Sequence, residues 1–133
     1  MAPLSSAVTA GNNAKGSEYN NLRLDWLLGL KALTAVADAA SMTFDLAVSN
    51  FFLAGALTAS RTFVFSNVVT GQPFTIIVLE DGTGGHTITW PANIKWPSGS
   101  APPNTNASAY SMFTLVRVDA TNYIGTFNGF NFS

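Results

Sequence analysis

The chain has 133 residues and no cysteine, and its net charge is −1 with only 10 % of its residues charged. These values exclude disulfides, thiolate metal sites and cysteine nucleophiles, and they leave no basic patch for nucleic acid. A typical soluble domain has about a quarter of its residues charged. Because this chain has far fewer charged residues and 47 % of its residues are hydrophobic, we expect partner molecules to cover much of its surface.

The first segment, residues 1–16, is mostly small and polar, and it cannot bury enough apolar surface to fold alone. It lacks the basic start and continuous apolar core of a signal peptide. The longest apolar run, residues 51–57, is interrupted by Gly55 and is far shorter than the roughly 20 residues that span a bilayer. We therefore expect an arm that is disordered or laid against another surface, no leader and no membrane partner.

Residues 17–33 have the pattern of an α-helix. Ser17 suits the N-cap, and Glu18 suits the first turn, where the helix dipole favours a carboxylate. Apolar residues at spacings of three and four then share one helical face, the predicted interface for self-association or a partner: Tyr19, Leu22, Trp26, Leu30 and Leu33. The spacing leaves open whether the covering surface is the chain's own domain or a neighbouring subunit.

From Ala40 onward the pattern changes to the period of two that half-buried strands show. Residues 42–48 open this region with an apolar side chain at every second position. Turn-forming residues separate the further predicted strands, which are residues 51–59, 61–65, 73–79, 86–90, 109–118 and 123–132.

Short strands with turns at intervals of about 8–12 residues, and without alternating helices, are typical of an antiparallel sandwich or barrel. We predict a mainly β chain in two parts. Residues 1–39 form an N-terminal arm and one amphipathic α-helix for anchoring or oligomerisation, and residues 40–133 form an antiparallel, jelly-roll-like β-sandwich.

Candidate catalytic groups are few. His86 is the single histidine, and it has neither the context of a serine nucleophile nor a second metal ligand at a recognisable spacing. Glu80 and Asp81 are adjacent, so on a strand they point to opposite faces, which is unsuited to paired acid–base chemistry. The glycine-rich segment 81–85 lacks the ligand ladder of a calcium loop and the lysine of a phosphate loop. We expect no enzyme activity, cofactor or metal.

Two Trp-Pro pairs begin at Trp90 and Trp96. Proline favours an extended conformation at the preceding residue and interrupts a strand's hydrogen bonds, which predicts an edge or a corner of a sheet. Exposed indoles would stack on sugar rings, and buried ones would cover the end of a sandwich. We favour packing, because large aromatic side chains dominate protein cores. Trp90, Trp96 and Tyr110 are the alternative glycan contacts.

The segment Asp81–Pro102, DGTGGHTITWPANIKWPSGSAP, resembles a segment that recurs in structural proteins of tailed bacteriophages. These include tail fibre, head fibre and capsid-decoration proteins. The resemblance extends from Met42 to Phe132, and Ser17–Asp25 is similar to a short helix near the start of such proteins. It implies a β domain located on the virion, of a kind that is commonly trimeric.

Fibre proteins of this kind usually contain a long shaft, whereas the predicted β domain here begins within about forty residues of Met1. We therefore expect a homotrimeric capsid decoration (cement) protein that binds and stabilises the assembled shell by mass action. Its partners would be sister copies and the major capsid protein or other virion proteins. The alternative is a tail or head fibre module that binds a host-surface glycan; a polysaccharide depolymerase is a third hypothesis.

Overall fold

In the computed structural model of this chain, the described residues are 32–103 and 106–133. They form β-strands and turns, and none of them lies in a helix, so this part of the chain has no helix that could cross a membrane. The predicted arm and most of the predicted helix, up to residue 31, lie outside the described residues. Leu33, the last member of the predicted helical face, is 46 % exposed and directly precedes the first strand.

Nine strands follow one another in the described part of the chain. They are β1 Thr34–Val36, β2 Ser41–Asp45, β3 Phe51–Leu57, β4 Arg61–Ser66, β5 Pro73–Glu80, β6 Ile88–Thr89, β7 Ile94–Lys95, β8 Tyr110–Arg117 and β9 Tyr123–Phe132. The division of the chain at residues 39 and 40 stays a prediction, and β1 lies on its N-terminal side.

The strands form two sheets. The large sheet has the order β1-β3-β5-β8-β9-β7, and the small sheet has the order β2-β4-β6. From β1 to β6 the chain alternates between the sheets, and each strand pairs in parallel with the strand two before it. This segment therefore makes three stacked turns of a flattened coil. β8 then pairs antiparallel with β5 and β9, and β7 pairs in parallel with β9.

The predicted β class is confirmed, but the predicted antiparallel arrangement is wrong for most of the described strands. It holds only where β8 meets β5 and β9. Strands with alternating side chains, separated by turn residues, occur both in antiparallel hairpins and in a parallel coil. The sequence pattern could therefore not distinguish the two arrangements. Parallel neighbours need a crossover connection, and here a strand in the opposite sheet supplies it.

Both sheets bury their inner faces in one core. Its side chains occupy alternate positions on the strands and include Met42, Phe44, Phe52, Phe63, Phe74, Ile76, Val78, Phe113 and Leu115. The rings of Phe44 and Phe52 meet edge to face at 5.4 Å, and this contact joins the two sheets. Since each such side chain contributes about 1.5–3 kcal/mol when buried, the core determines which side of every strand faces inward.

Asp38, between β1 and β2, fixes the first corner of the coil. Its carboxylate accepts hydrogen bonds from Arg61 Nε at 2.6 Å, Arg61 Nη2 at 2.5 Å and Thr58 Oγ1 at 2.7 Å. The hydrogen bonds from Arg61, which outweigh the opposing effect of burial, lower the pKa of Asp38 to about 2. Because Thr58 and Arg61 flank the corner between β3 and β4, this ion pair ties the first coil turn to the second.

Candidate functional site

Trp90 and Trp96 are brought together in the structure. Trp90 follows β6, Trp96 follows β7, and their ring centroids lie 5.2 Å apart in an edge-to-face arrangement. Trp90 also contacts Phe63 at 5.1 Å and Phe113 at 4.9 Å, so it joins the inner faces of the small and large sheets. These contacts agree with the packing interpretation.

Gly125 makes room for the second tryptophan. It lies on β9 opposite Leu115, and a Cβ atom at this position would lie 2.6 Å from the Trp96 ring. Such a distance is far below van der Waals contact, so the indole packs on bare backbone. A glycine thus fixes where Trp96 sits.

Tyr110 lies apart from this aromatic pair. It is the first residue of β8, it is 42 % exposed, and it pairs with Leu79 on β5. Phe113, which contacts Trp90, points from β8 into the core, whereas Tyr110 is three residues earlier and points to the other face. The three aromatic residues of the glycan alternative therefore do not share one surface, and their glycan role stays a prediction.

A cleft lies beside Trp96, between the loop of residues 97–103 and β9. Its volume is about 530 Å³, and its described lining residues are Pro97, Ser98, Ser100, Ala101, Pro102, Pro103, Thr126 and Phe127. The walls combine apolar surface with three hydroxyl groups, and no charged side chain is among these residues. Such walls suit an uncharged ligand with hydroxyl groups.

Glu80, Asp81 and His86 form a compact polar cluster, and their ligand-type atoms all lie within 4.8 Å of one another. The expectation that adjacent Glu80 and Asp81 point apart is therefore wrong, because β5 ends at Glu80 and the chain turns at Asp81. The contact between His86 and Asp81 was not predicted from the sequence. The five-residue spacing across a glycine-rich turn was the signal that could have revealed it.

Asp81 organises this turn. Its Oδ1 accepts hydrogen bonds from Gly84 N at 3.0 Å and Thr83 N at 2.8 Å, and it lies 3.1 Å from His86 Nε2. The backbone donors of Gly84 and Thr83, and then His86, lower the pKa of Asp81. Carboxylate and imidazole groups are donors that divalent transition metals accept, but here one Asp81 oxygen already closes the turn. Among the described residues, no hydroxyl group is hydrogen-bonded to His86, as a serine nucleophile would be.

The outer face of the large sheet, which we define as the side chains of β3, β5, β8 and β9 that point away from the core, is apolar or carries threonine. Its members are Phe51, Leu53, Thr75, Ile77, Leu79, Tyr110, Met112, Thr114, Val116, Ile124, Thr126 and Phe132. None of these is charged. Beside the face, Lys95 on the edge strand β7 pairs with Ile124.

The outer face of the small sheet differs. Its outward side chains are mainly hydroxyl-bearing: Ser41, Thr43, Asp45, Thr62, Val64, Ser66 and Thr89. Val64 is the only large apolar side chain among these positions, and it is 40 % exposed. Hydroxyl groups hydrogen-bond water readily, so this face suits contact with solvent.

Residues 35–118 match the model of a family described as "Putative phage tail fibre C-terminal domain". The matched range extends from β1 past the end of β8 and covers more than half of the chain. No curated protein and no solved structure matches the chain. The match includes the coil, the tryptophan pair and the loop of the cleft. The chain thus belongs to the family of phage tail fibre C-terminal domains and is a virion structural protein of the tail-fibre type.

Proposed function

We propose that this chain is a structural module of a phage tail fibre, held there by contacts with identical copies and with neighbouring virion proteins. The family match over residues 35–118 is the observation that carries this proposal. The coil supports it, because stacked parallel strands pair their backbone groups turn by turn and form a rigid unit.

Capsid decoration, our first expectation, is the rival function. That expectation rested on the small number of residues ahead of the β domain. The match to a tail fibre family supports the fibre alternative. We therefore propose the fibre function that was the alternative in the sequence analysis.

Immunogold labelling of intact particles tests this choice. Antibodies against the full chain should label the tail fibres and leave the shell unlabelled. Particles from a phage with the coding sequence deleted serve as the control for non-specific gold. Label spread over the whole shell would overturn the fibre proposal in favour of decoration.

We propose that the module acts as a homotrimer. Low charge across the whole sequence supports association, since 10 % charged residues leave little electrostatic repulsion between copies. The predicted helical face around Leu22 and Trp26 would add buried area to the trimer. Light scattering of the purified chain should give about three times the 14.0 kDa mass of one chain.

Our proposal gives the module no catalytic role. Asp81 holds His86 within a turn, and the cluster lacks a hydrogen-bonded hydroxyl nucleophile among the described residues. Incubation with host capsular polysaccharide should leave its chain length unchanged. A shortened polysaccharide would contradict this part of the proposal.

A second candidate function is recognition of a neutral host-surface glycan in the cleft beside Trp96. The uncharged walls and the hydroxyl groups of Ser98 and Ser100 favour it. Ser100→Trp would fill the cleft and should abolish binding to a host-glycan array. Thr62→Trp, on the outer face of the small sheet, is the matched control and should keep it. Equal binding by both variants would exclude this cleft.

A further inference from the structure

We infer that the outer face of the large sheet is the surface through which identical copies of this chain associate. The inference deepens the proposed homotrimer by naming its surface, and it rests on that part of the proposed function. Four properties of the face carry it: its exposed apolar side chains, its lack of charge, its internally bonded polar groups and its size.

Three of the eight exposed large apolar side chains among the described residues lie on this face. Tyr110, Ile124 and Phe132 are 42 %, 45 % and 51 % exposed, and Val118, directly after β8, is 44 % exposed. On strand β5 the outward residues Ile77 and Leu79 are half-buried. An apolar face of this kind is unfavourable in water and marks an interaction site.

The lack of charge points to an identical copy as the partner. Two identical surfaces present the same charges to each other, so a face with several charges of one sign would repel its own copy. The outward positions of β3, β5, β8 and β9 hold no charged side chain. Lys95, on the edge strand, lies where a charged rim would remain in water.

The threonine hydroxyl groups on this face already have hydrogen-bond partners within the chain. Thr75 Oγ1 and Thr114 Oγ1 lie 3.2 Å apart and share a hydrogen bond, and Thr126 Oγ1 donates to Thr114 O at 3.2 Å. A buried hydroxyl is costly only when it loses its hydrogen bonds. These threonines can therefore enter an interface with a surface that offers no matching donors or acceptors. A second copy of the same face is such a surface.

The face supplies a large part of the area of a subunit contact. Four strands at a spacing of roughly 4.8 Å, each about eight residues long at roughly 3.3 Å per residue, cover about 20 Å by 26 Å in projection. A stable interface buries about 800 Å² on each partner. The projected area of about 520 Å² is roughly two-thirds of that value, and Val118 at the margin adds to it.

Ile124→Lys tests the face directly. A lysine at Ile124, which lies on β9 within the apolar face, would place an unpaired charge in the interface of every copy. We expect light scattering of the full chain to change from the mass of an oligomer to that of one chain, with at least a tenfold rise in the concentration at which copies dissociate. Circular dichroism should show that the strands remain.

Val64→Lys is the matched control, because Val64 is a β-branched residue of similar exposure, 40 %, on the outer face of the small sheet. This variant should keep the mass of the wild-type oligomer. An unchanged oligomer in Ile124→Lys, equal dissociation of both variants, or a wild-type chain that is monomeric would each overturn the inference. Immunogold labelling of the fibres is independent of these results. The proposal of a tail fibre location could therefore hold even if the association surface were wrong.

Cysteine crosslinking gives a second measurement that does not depend on destabilising the interface. The chain has no cysteine, so a single introduced thiol can form a disulfide only with another copy. Under mild oxidation, Thr126→Cys should give a covalent dimer, and Thr62→Cys, on the other face, should not. Crosslinking of Thr62→Cys alone would assign association to the small sheet, and crosslinking of neither variant would also contradict the inference.

Discussion

The outer faces of the two sheets follow the same alternation along their strands but have opposite chemistry. The large sheet presents apolar side chains such as Leu53 and Ile77, whereas the small sheet presents hydroxyl groups such as those of Thr43 and Thr62. The two sheets share one core, so burial inside the domain cannot explain the difference. It teaches that the outward positions of the large sheet are mostly apolar and those of the small sheet are mostly hydroxyl-bearing, while Val48 and Val69 are further exposed apolar side chains in the turns.

The largest effect is expected inside the large sheet. Phe113→Ala should lower the free energy of unfolding by about 3–5 kcal/mol, because it leaves a cavity under both tryptophans. Thr114→Ala, one residue along on the outer face, should cost about 1 kcal/mol or less. Urea unfolding followed by tryptophan fluorescence measures both. Similar losses would show that the two faces of β8 do not differ as described.

A smaller effect is expected where β9 receives Trp96. Gly125→Ala places a methyl group 2.6 Å from the ring, and it should destabilise the fold by about 1–3 kcal/mol through overpacking. Gly82→Ala is the control, because no atom lies within 4 Å of a Cβ there. Thermal unfolding should separate the two variants. An unchanged Gly125→Ala would mean that Trp96 has room to move.

The corner between the sheets should contribute a pH-dependent term. The folded-state pKa of Asp38 is about 2, below its ordinary value of 3.8, so the charged carboxylate stabilises the fold above about pH 4. That stabilisation is lost as the pH falls from about 4 to about 2. Asp38→Asn should cost about 1 kcal/mol at pH 7, since solvent weakens the pair, and much less at pH 2. A constant difference between variant and wild type would refute this.

The smallest change in stability is expected for substitutions on the outer face of the small sheet. These substitutions should change the solubility of the protein instead. Thr43→Val combined with Thr62→Val keeps β-branched residues on the strands and should shift the free energy of unfolding by less than about 0.5 kcal/mol. It would make this face resemble the large sheet, so the protein should precipitate at lower concentration. Undiminished solubility would remove the contrast between the faces.

The sequence predicted the strands well where one side of each faces the core. Residues 73–79 and 109–118 correspond closely to β5 and β8, because alternate apolar positions there reflect real burial. It could not predict parallel pairing, since alternation reports which face is inside and says nothing about which strand lies beside it. The two-residue strands β6 and β7 are too short to show a period.

The candidate sites were predicted only in part. The tryptophan pair was recognised from its prolines, but the sequence grouped it with Tyr110, which lies on the opposite face of β8. The side of the sheet on which a residue lies depends on the register of its strand, and the register is known only once the paired strands are identified. The contact between Asp81 and His86 was missed for a similar reason: it requires the backbone turn at Gly84, whose φ of +69° only the folded structure reveals.

The alternation of β1 to β6 between two sheets also bears on how the chain acquires its structure. Thr34 pairs with Phe52 and Arg61 pairs with Ile88, so each coil turn closes a short loop, whereas Pro73 must find Val116 across a much longer stretch. Closing short loops costs less chain entropy and speeds folding. The coil and the β8–β9 hairpin would then fold early and independently of each other. Pairing of β5 with β8 would complete the native state.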